Sequence, residues 1–203
     1  MAVGKRLAAA RHAWICFEDE AGQTLRPPKA RTWARRGKTP VVTVTGKGSG
    51  RVSIAGLLCL APGHRGRLLF RTITHRGRQG ERSSFTEADY IALLDAAHRL
   101  LGAPIVLVWD NLNTHVSKAM RALIDTRDWL TVIQLPAYAP DLNPTEGVWS
   151  HLKRAIANLT AHGVDHLART VKRRLHQIQN RPDLAAGFLA QTGMTLEPEL
   201  PRT

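Results

Sequence analysis

The sequence predicts a single α/β domain, a mixed sheet flanked by helices, and three observations carry that expectation. Short, unbroken apolar runs at residues 13–17 (AWICF) and 105–109 (IVLVW) have the length and composition of inner strands, and 131–135 (TVIQL) reads as a third. A β-rich front portion gives way to an alternation of helix-like and strand-like segments. With 203 residues, 43% of them hydrophobic and five of them Trp, the chain is long enough to bury one good core.

Taken in order, the run at 13–17 ends abruptly in Glu18, Asp19 and Glu20, which reads as a buried strand delivering acids at its C-terminal end. Residues 27–38 are rich in Pro and Arg and read as irregular. Residues 41–45 and 51–60 are β-rich, and Gly46-Lys47-Gly48-Ser49-Gly50 between them is a hairpin signal; 68–73 would add a strand and complete an antiparallel meander. That Gly-Lys-Gly-Ser run lacks the spacing of a phosphate-binding loop. After a polar loop at 77–84, residues 86–101 have helical spacing. Thr86 and Asp89 stand as a capping pair there, and Gly102 and Pro104 as the stop.

The strand at 105–109 again ends in an acid, Asp110. A helix over 116–126 and the strand at 131–135 follow. After the loop 136–143, a helix starts near Pro144, with Val148, Trp149, Leu152, Ile156 and Leu159 as its apolar face. One more basic helix covers about 165–179, and the last twenty residues read as a poorly ordered tail. The expected organisation is a lead-in at 1–12, one domain at 13–180 and a tail at 181–203.

Charge narrows the partners. Lys plus Arg is 29 against 16 for Asp plus Glu, a net charge of +13, which favours polyanions. A membrane is not an expected partner: no stretch approaches the roughly 18–20 apolar residues that span a bilayer. Arg11 and His12 also interrupt any signal-peptide core, so the expected location is cytoplasmic. Cys16 and Cys59 belong to no C-x-x-C pair and suit buried thiols in a reducing compartment.

Three acids then occupy positions of one kind. Asp19 and Asp110 follow buried strands, and Glu146 lies in the first turn of a helix that follows a third. Carboxylates gathered there repel one another unless cations lie between them, and hard oxygen ligands suit Mg²⁺ or Mn²⁺. Two such ions about 4 Å apart clamp both oxygens of a phosphodiester displacement. Each acid also has a plainer explanation. Glu146, three residues after Asn143, fits a capping box; Asp19 fits a solvated strand end; Asp110 opens an Asx-rich turn.

The blocks FEDEAG (17–22), VWDNLNTH (108–115) and LPAYAPDLNPTEGVW (135–149) resemble the three catalytic blocks of the DDE transposases of the Tc/mariner superfamily, in its bacterial insertion-sequence branch. The third block is the most diagnostic, and the resemblance runs over roughly residues 12–190. It implies a ribonuclease-H-like fold. It makes Asp19, Asp110 and Glu146 a catalytic triad that binds Mg²⁺ or Mn²⁺, two ions in all, with Asn111, His115 and Asn143 as further candidates near the site. It implies phosphoryl transfer without a covalent enzyme intermediate. Water cleaves the element end, and the freed 3′-hydroxyl then attacks target DNA at a short TA-type site. Full-length members carry an N-terminal helix-turn-helix region, whereas this sequence reaches its first acid strand at residue 13. The expected partners are therefore DNA and an upstream helix-turn-helix region or polypeptide, with a homodimer left open.

For DNA contact, Arg31, Arg35, Arg36 and Lys38 flank Trp33, which is available to stack on a base, and Lys153 lies on the helix of Glu146. Arg65, Arg67, Arg71, Arg76, Arg78 and Arg82 crowd one hairpin. A charge run is ordinarily a solvated face, but acids are nearly absent from both stretches. Two readings compete with a transposase: a DNA-binding remnant without catalysis, and another ribonuclease-H-like nuclease such as a junction resolvase.

Overall fold

Among the described residues the apolar runs at 13–17 and 105–109 fall in inner strands of a five-stranded sheet, whereas the segment at 131–135, expected as a third inner strand, lies in an edge strand that is only partly buried. The computed structural model describes residues 2–41, 43, 50–82, 84–110, 117–136 and 139–196. Its strands are β1 (Trp14–Thr24), β2 (Arg51–Leu60), β3 (Arg67–His75), β4 (Ile105–Trp109) and β5 (Leu130–Gln134), in the order β3-β2-β1-β4-β5. β1 to β3 form the expected antiparallel meander, and β4 and β5 join parallel to β1.

Among the described residues six α-helices flank the sheet: α1 (Ala2–Arg11), α2 (Glu87–Leu101), α3 (Lys118–Asp125), α4 (Thr145–Ala155), α5 (Val164–Gln179) and α6 (Pro182–Gln191). Strand residues alternate between the two faces. Ile15, Phe17, Val106 and Val108 face Val148 and Leu152 of α4, Val171 and Leu175 of α5, and Phe188 of α6. Cys16, Leu57, Leu107 and Trp109 face Tyr90 and Leu94 of α2 and Met120 of α3. The helix punctuation follows the sequence closely. The Asp89 carboxylate accepts from the Thr86 N–H at 3.0 Å, and Gly102 ends α2 at φ 63°, a left-handed conformation that costs glycine little. Among the described residues no helix is long and apolar enough to cross a membrane.

Three expectations need correction. β1 does not end at Phe17 but runs through the acids to Thr24, because β2 goes on supplying a hydrogen-bonding partner from Glu18–Leu57 to Thr24–Arg51. Asp19 is therefore at a strand end only with respect to β4, whose pairing with β1 stops at Phe17–Val108. The expected tail contains α6, and Phe188 and Leu189 are buried against the core. The lead-in contains α1, which buries Ala8 and donates from Arg11 Nη1 to Thr131 Oγ1 at 2.9 Å. The strand expected at 41–45 and the hairpin after it fall largely on residues 42 and 44–49, outside the described residues.

Phe188 packs so closely on α4 that a Cβ at Gly147 would stand 2.6 Å from its Cδ1. Phe188→Ala should therefore lower the unfolding free energy in urea by about 3–5 kcal/mol. A decrease below roughly 1 kcal/mol, the range of a surface change, would mean that α6 does not belong to the core.

Candidate active site

Where the β1–β4 pairing stops, the backbone of β1 meets the start of α4. Buried carbonyls need donors, and two side chains at the helix entrance supply them. Asn143 Nδ2 donates to the Glu18 carbonyl at 3.2 Å, while Asn143 Oδ1 accepts the Thr145 N–H at 3.1 Å. Thr145 Oγ1 donates to the Phe17 carbonyl at 2.9 Å. One helical turn past Thr145, Trp149 Nε1 donates to Asp19 Oδ2 at 2.9 Å, and the Glu20 N–H donates to Asp19 Oδ1 at 3.0 Å. These bonds bring Glu146, in the first turn of α4, into the electrostatic field of Asp19.

The capping explanation for Glu146 fails on its donor. The Asn143 N–H, which a capping box would aim at Glu146, donates to the Pro140 carbonyl at 2.8 Å. A short 3-10 turn, Pro140–Leu142, makes this bond available just before the helix.

Burial raises the Asp19 pKa to about 7; the Trp149 and Glu20 donors hold it down, and the Glu146 and Asp110 charges push it further up. Burial, then the charges of Asp19, Glu20 and Asp110, push the fully enclosed Glu18 well above the carboxylate range. Glu20 is raised by burial and then by Asp110. By strand alternation Asp19 faces the α4 layer, while Glu18 and Glu20 face the other. Five carboxylates thus share one field at the sheet's centre. Such a set resists full ionisation unless a cation neutralises it, so its donor chemistry fits a hard divalent metal. Among the described residues, no three acidic, His or Cys side chains are yet gathered tightly enough to hold an ion.

The remaining candidates divide. Asn111 and His115 lie outside the described residues. Asn143 is buried and uses both ends of its amide to tie α4 to β1, so it acts as a tether. Arg31, Trp33, Arg35, Arg36 and Lys38 are exposed on the irregular segment after β1, with Trp33 wholly in solvent. Asn158 anchors the root of that segment, donating from Nδ2 to the Ala30 carbonyl at 2.9 Å and from its N–H to the Pro28 carbonyl at 3.0 Å. Lys153 is exposed on α4. In the basic hairpin, acids engage some cations: Arg76 pairs with the distant Asp165 at 2.7 Å, and Arg82 with the nearby Asp89 at 3.0 Å. Sequence reasoning does not find Thr145 as a tether or the polar work of Trp149. Both lie within the third block, which is the available signal.

The Asp19 shift makes stability depend on pH in metal-free protein. The folded chain keeps that proton up to about pH 7, whereas the unfolded chain loses it near the ordinary 3.8. The associated stability is full below about pH 4 and is lost as pH rises through 7, by on the order of 4 kcal/mol. Asp19→Asn should lack this fall when both proteins are unfolded in urea with a chelator present. Parallel pH profiles for the two proteins would contradict the shift.

Residues 14–168 match the family described as DDE superfamily endonuclease. Among curated proteins the sequence finds no match. Among solved structures, the chain is similar to the Mos1 transposase paired-end complex with left transposon end, at 15% identity and a TM-score of 0.59, covering 97% of this chain and 61% of that one. The Mos1 mariner paired-end complex with Mn gives 16% identity, a TM-score of 0.59 and coverage of 97% and 61%. The catalytic domain of Mos1 mariner transposase gives 15% identity, a TM-score of 0.53 and coverage of 97% and 91%. This likeness shows the fold, the ribonuclease-H-like mixed sheet with flanking helices. The chain spans 61% of the length of the longer Mos1 chain in the paired-end complex. Matched from the first residue of β1 into α5, the chain belongs to the DDE superfamily of endonucleases.

Proposed function

We propose that this chain is the catalytic domain of a transposase, cutting DNA at element ends and joining the freed end to a target. The observation that carries this reading is the convergence of Asp19 on β1 and Glu146 on α4, with Asp110 near enough to raise the Asp19 pKa. The three sequence blocks favour the bacterial insertion-sequence branch, and the buried thiols Cys16 and Cys59 suit a cytoplasmic setting. Mos1 has been solved with Mn, with Mg and as a strand transfer complex, which supports the same chemistry here.

Asp19, Asp110 and Glu146 would hold Mg²⁺ or Mn²⁺, two ions in all. Such ions polarise the phosphodiester oxygens and neutralise charge that develops on them. The protein's part is positioning. β1 carries Asp19, Asp110 directly follows β4, and α4, tethered to β1, carries Glu146. Arg31, Arg35, Arg36, Lys38 and Lys153 would contact phosphates, with Trp33 stacking on an exposed base. A helix-turn-helix region or polypeptide would supply recognition of the element ends.

Asp19→Ala, Asp110→Ala and Glu146→Ala should each abolish Mg²⁺- or Mn²⁺-dependent nicking of DNA while leaving the circular dichroism spectrum unchanged. Full nicking activity in any of the three would remove that residue from the triad, and activity in all three would favour a site elsewhere. Binding to duplex DNA should weaken steeply with salt. Replacing Arg31, Arg35 and Arg36 together by Ala should flatten the log–log slope by about 0.9 for each phosphate that these side chains neutralise. An unchanged slope would show that this segment does not touch the backbone.

A further inference from the structure

Trp149 is one of the largest fully buried side chains, at 1% exposure, on the apolar face of α4. A Phe or Leu would fill an apolar layer equally well, so the position of the indole N–H is informative. It donates to Asp19 Oδ2 at 2.9 Å while the Glu20 N–H takes Oδ1 at 3.0 Å. With one donor on each oxygen the carboxylate cannot spin about its Cβ–Cγ bond, and each oxygen keeps a further lone pair for a cation.

The ring reaches Asp19 by passing over bare backbone. Gly56 is the β2 residue in register with Asp19, and a Cβ there would stand 2.5 Å from Trp149 Cη2 and 2.9 Å from Cζ2. Gly56 is not among the glycines of positive φ, so conformational freedom does not explain it; space for the indole does.

Resting on the metal-site reading above, we infer that Trp149 is a positioning residue that holds Asp19 oriented for a divalent cation, and that Gly56 exists to admit it. Partners that orient a metal ligand typically change metal affinity by about 10- to 100-fold when removed. Trp149→Phe keeps an aromatic ring in the core and removes only the donor and the outer edge of the indole. Gly56→Ala keeps every atom of Trp149 and displaces it.

The test is Mn²⁺ binding to the full chain, followed by the electron paramagnetic resonance signal of free Mn²⁺, with no DNA present. Trp149→Phe and Gly56→Ala should each weaken binding by about 10- to 100-fold while still unfolding cooperatively. The double variant should bind no more weakly than Trp149→Phe alone, because the shorter ring leaves room for the new Cβ. Asp19→Ala separates the two levels of the inference. If it abolishes Mn²⁺ binding while Trp149→Phe binds as tightly as the unaltered chain, the indole serves packing alone and the positioning role is overturned. If Asp19→Ala itself binds as tightly as the unaltered chain, the metal-site reading falls and takes this inference with it. Fully additive effects in the double variant would overturn the role given to Gly56. Should Trp149→Phe not fold, Gly56→Ala carries the same comparison.

Discussion

β1 runs on past the point where its pairing with β4 stops, and the start of α4 takes over as its neighbour there. Side chains at the helix entrance satisfy the carbonyls of Phe17 and Glu18, Thr145 in one case and Asn143 in the other. A buried acceptor left without a donor costs about 1–3 kcal/mol, so these bonds leave α4 little freedom to slide along the sheet. The position of Glu146 beside Asp19 is a consequence of that tethering. α5 and α6 pack beside α4 on the same face of the sheet, with Val171, Leu175 and Phe188 in the shared core.

The electrostatic design is a contrast of scales. The chain as a whole carries +13, while Glu18, Asp19, Glu20, Asp110 and Glu146 concentrate carboxyl groups at the centre of the sheet. The overall field draws a polyanion towards the protein, and the acidic centre repels it. On the proposed function, a divalent cation held there would resolve the conflict by turning the centre into a binding point for phosphate. The cations from Arg31 to Lys38 are exposed to solvent.

Much of this is legible in the sequence because strands and helices announce themselves by local pattern. An unbroken apolar run marks β4, and Thr86 with Gly102 marks both ends of α2. What escapes a local reading depends on partners distant in the chain. The 3.6-residue spacing puts Trp149 on the buried face of α4, but its indole bonds Asp19 across 130 residues. Gly56 carries no local signal at all, since its meaning is the ring that passes over it. The length of β1 depends on β2, and no polarity pattern within FEDEAG shows that the strand continues. α1 and α6 escape because their Ala-rich sequences lack a clear apolar stripe until the core they dock on is known. Arg76 looks free of a side-chain partner because Asp165 reaches it from 89 residues along the chain.

The most direct measurement is anomalous scattering from a crystal of the protein soaked in Mn²⁺ with a cleaved DNA end. Asp19, Asp110 and Glu146, acting as one triad, should surround the Mn²⁺ peaks, with their oxygens at inner-sphere distance, roughly 2.0–2.6 Å for hard cations. Peaks bound through Glu18 or Glu20 without Glu146, or peaks found only away from the end of β4, would contradict it.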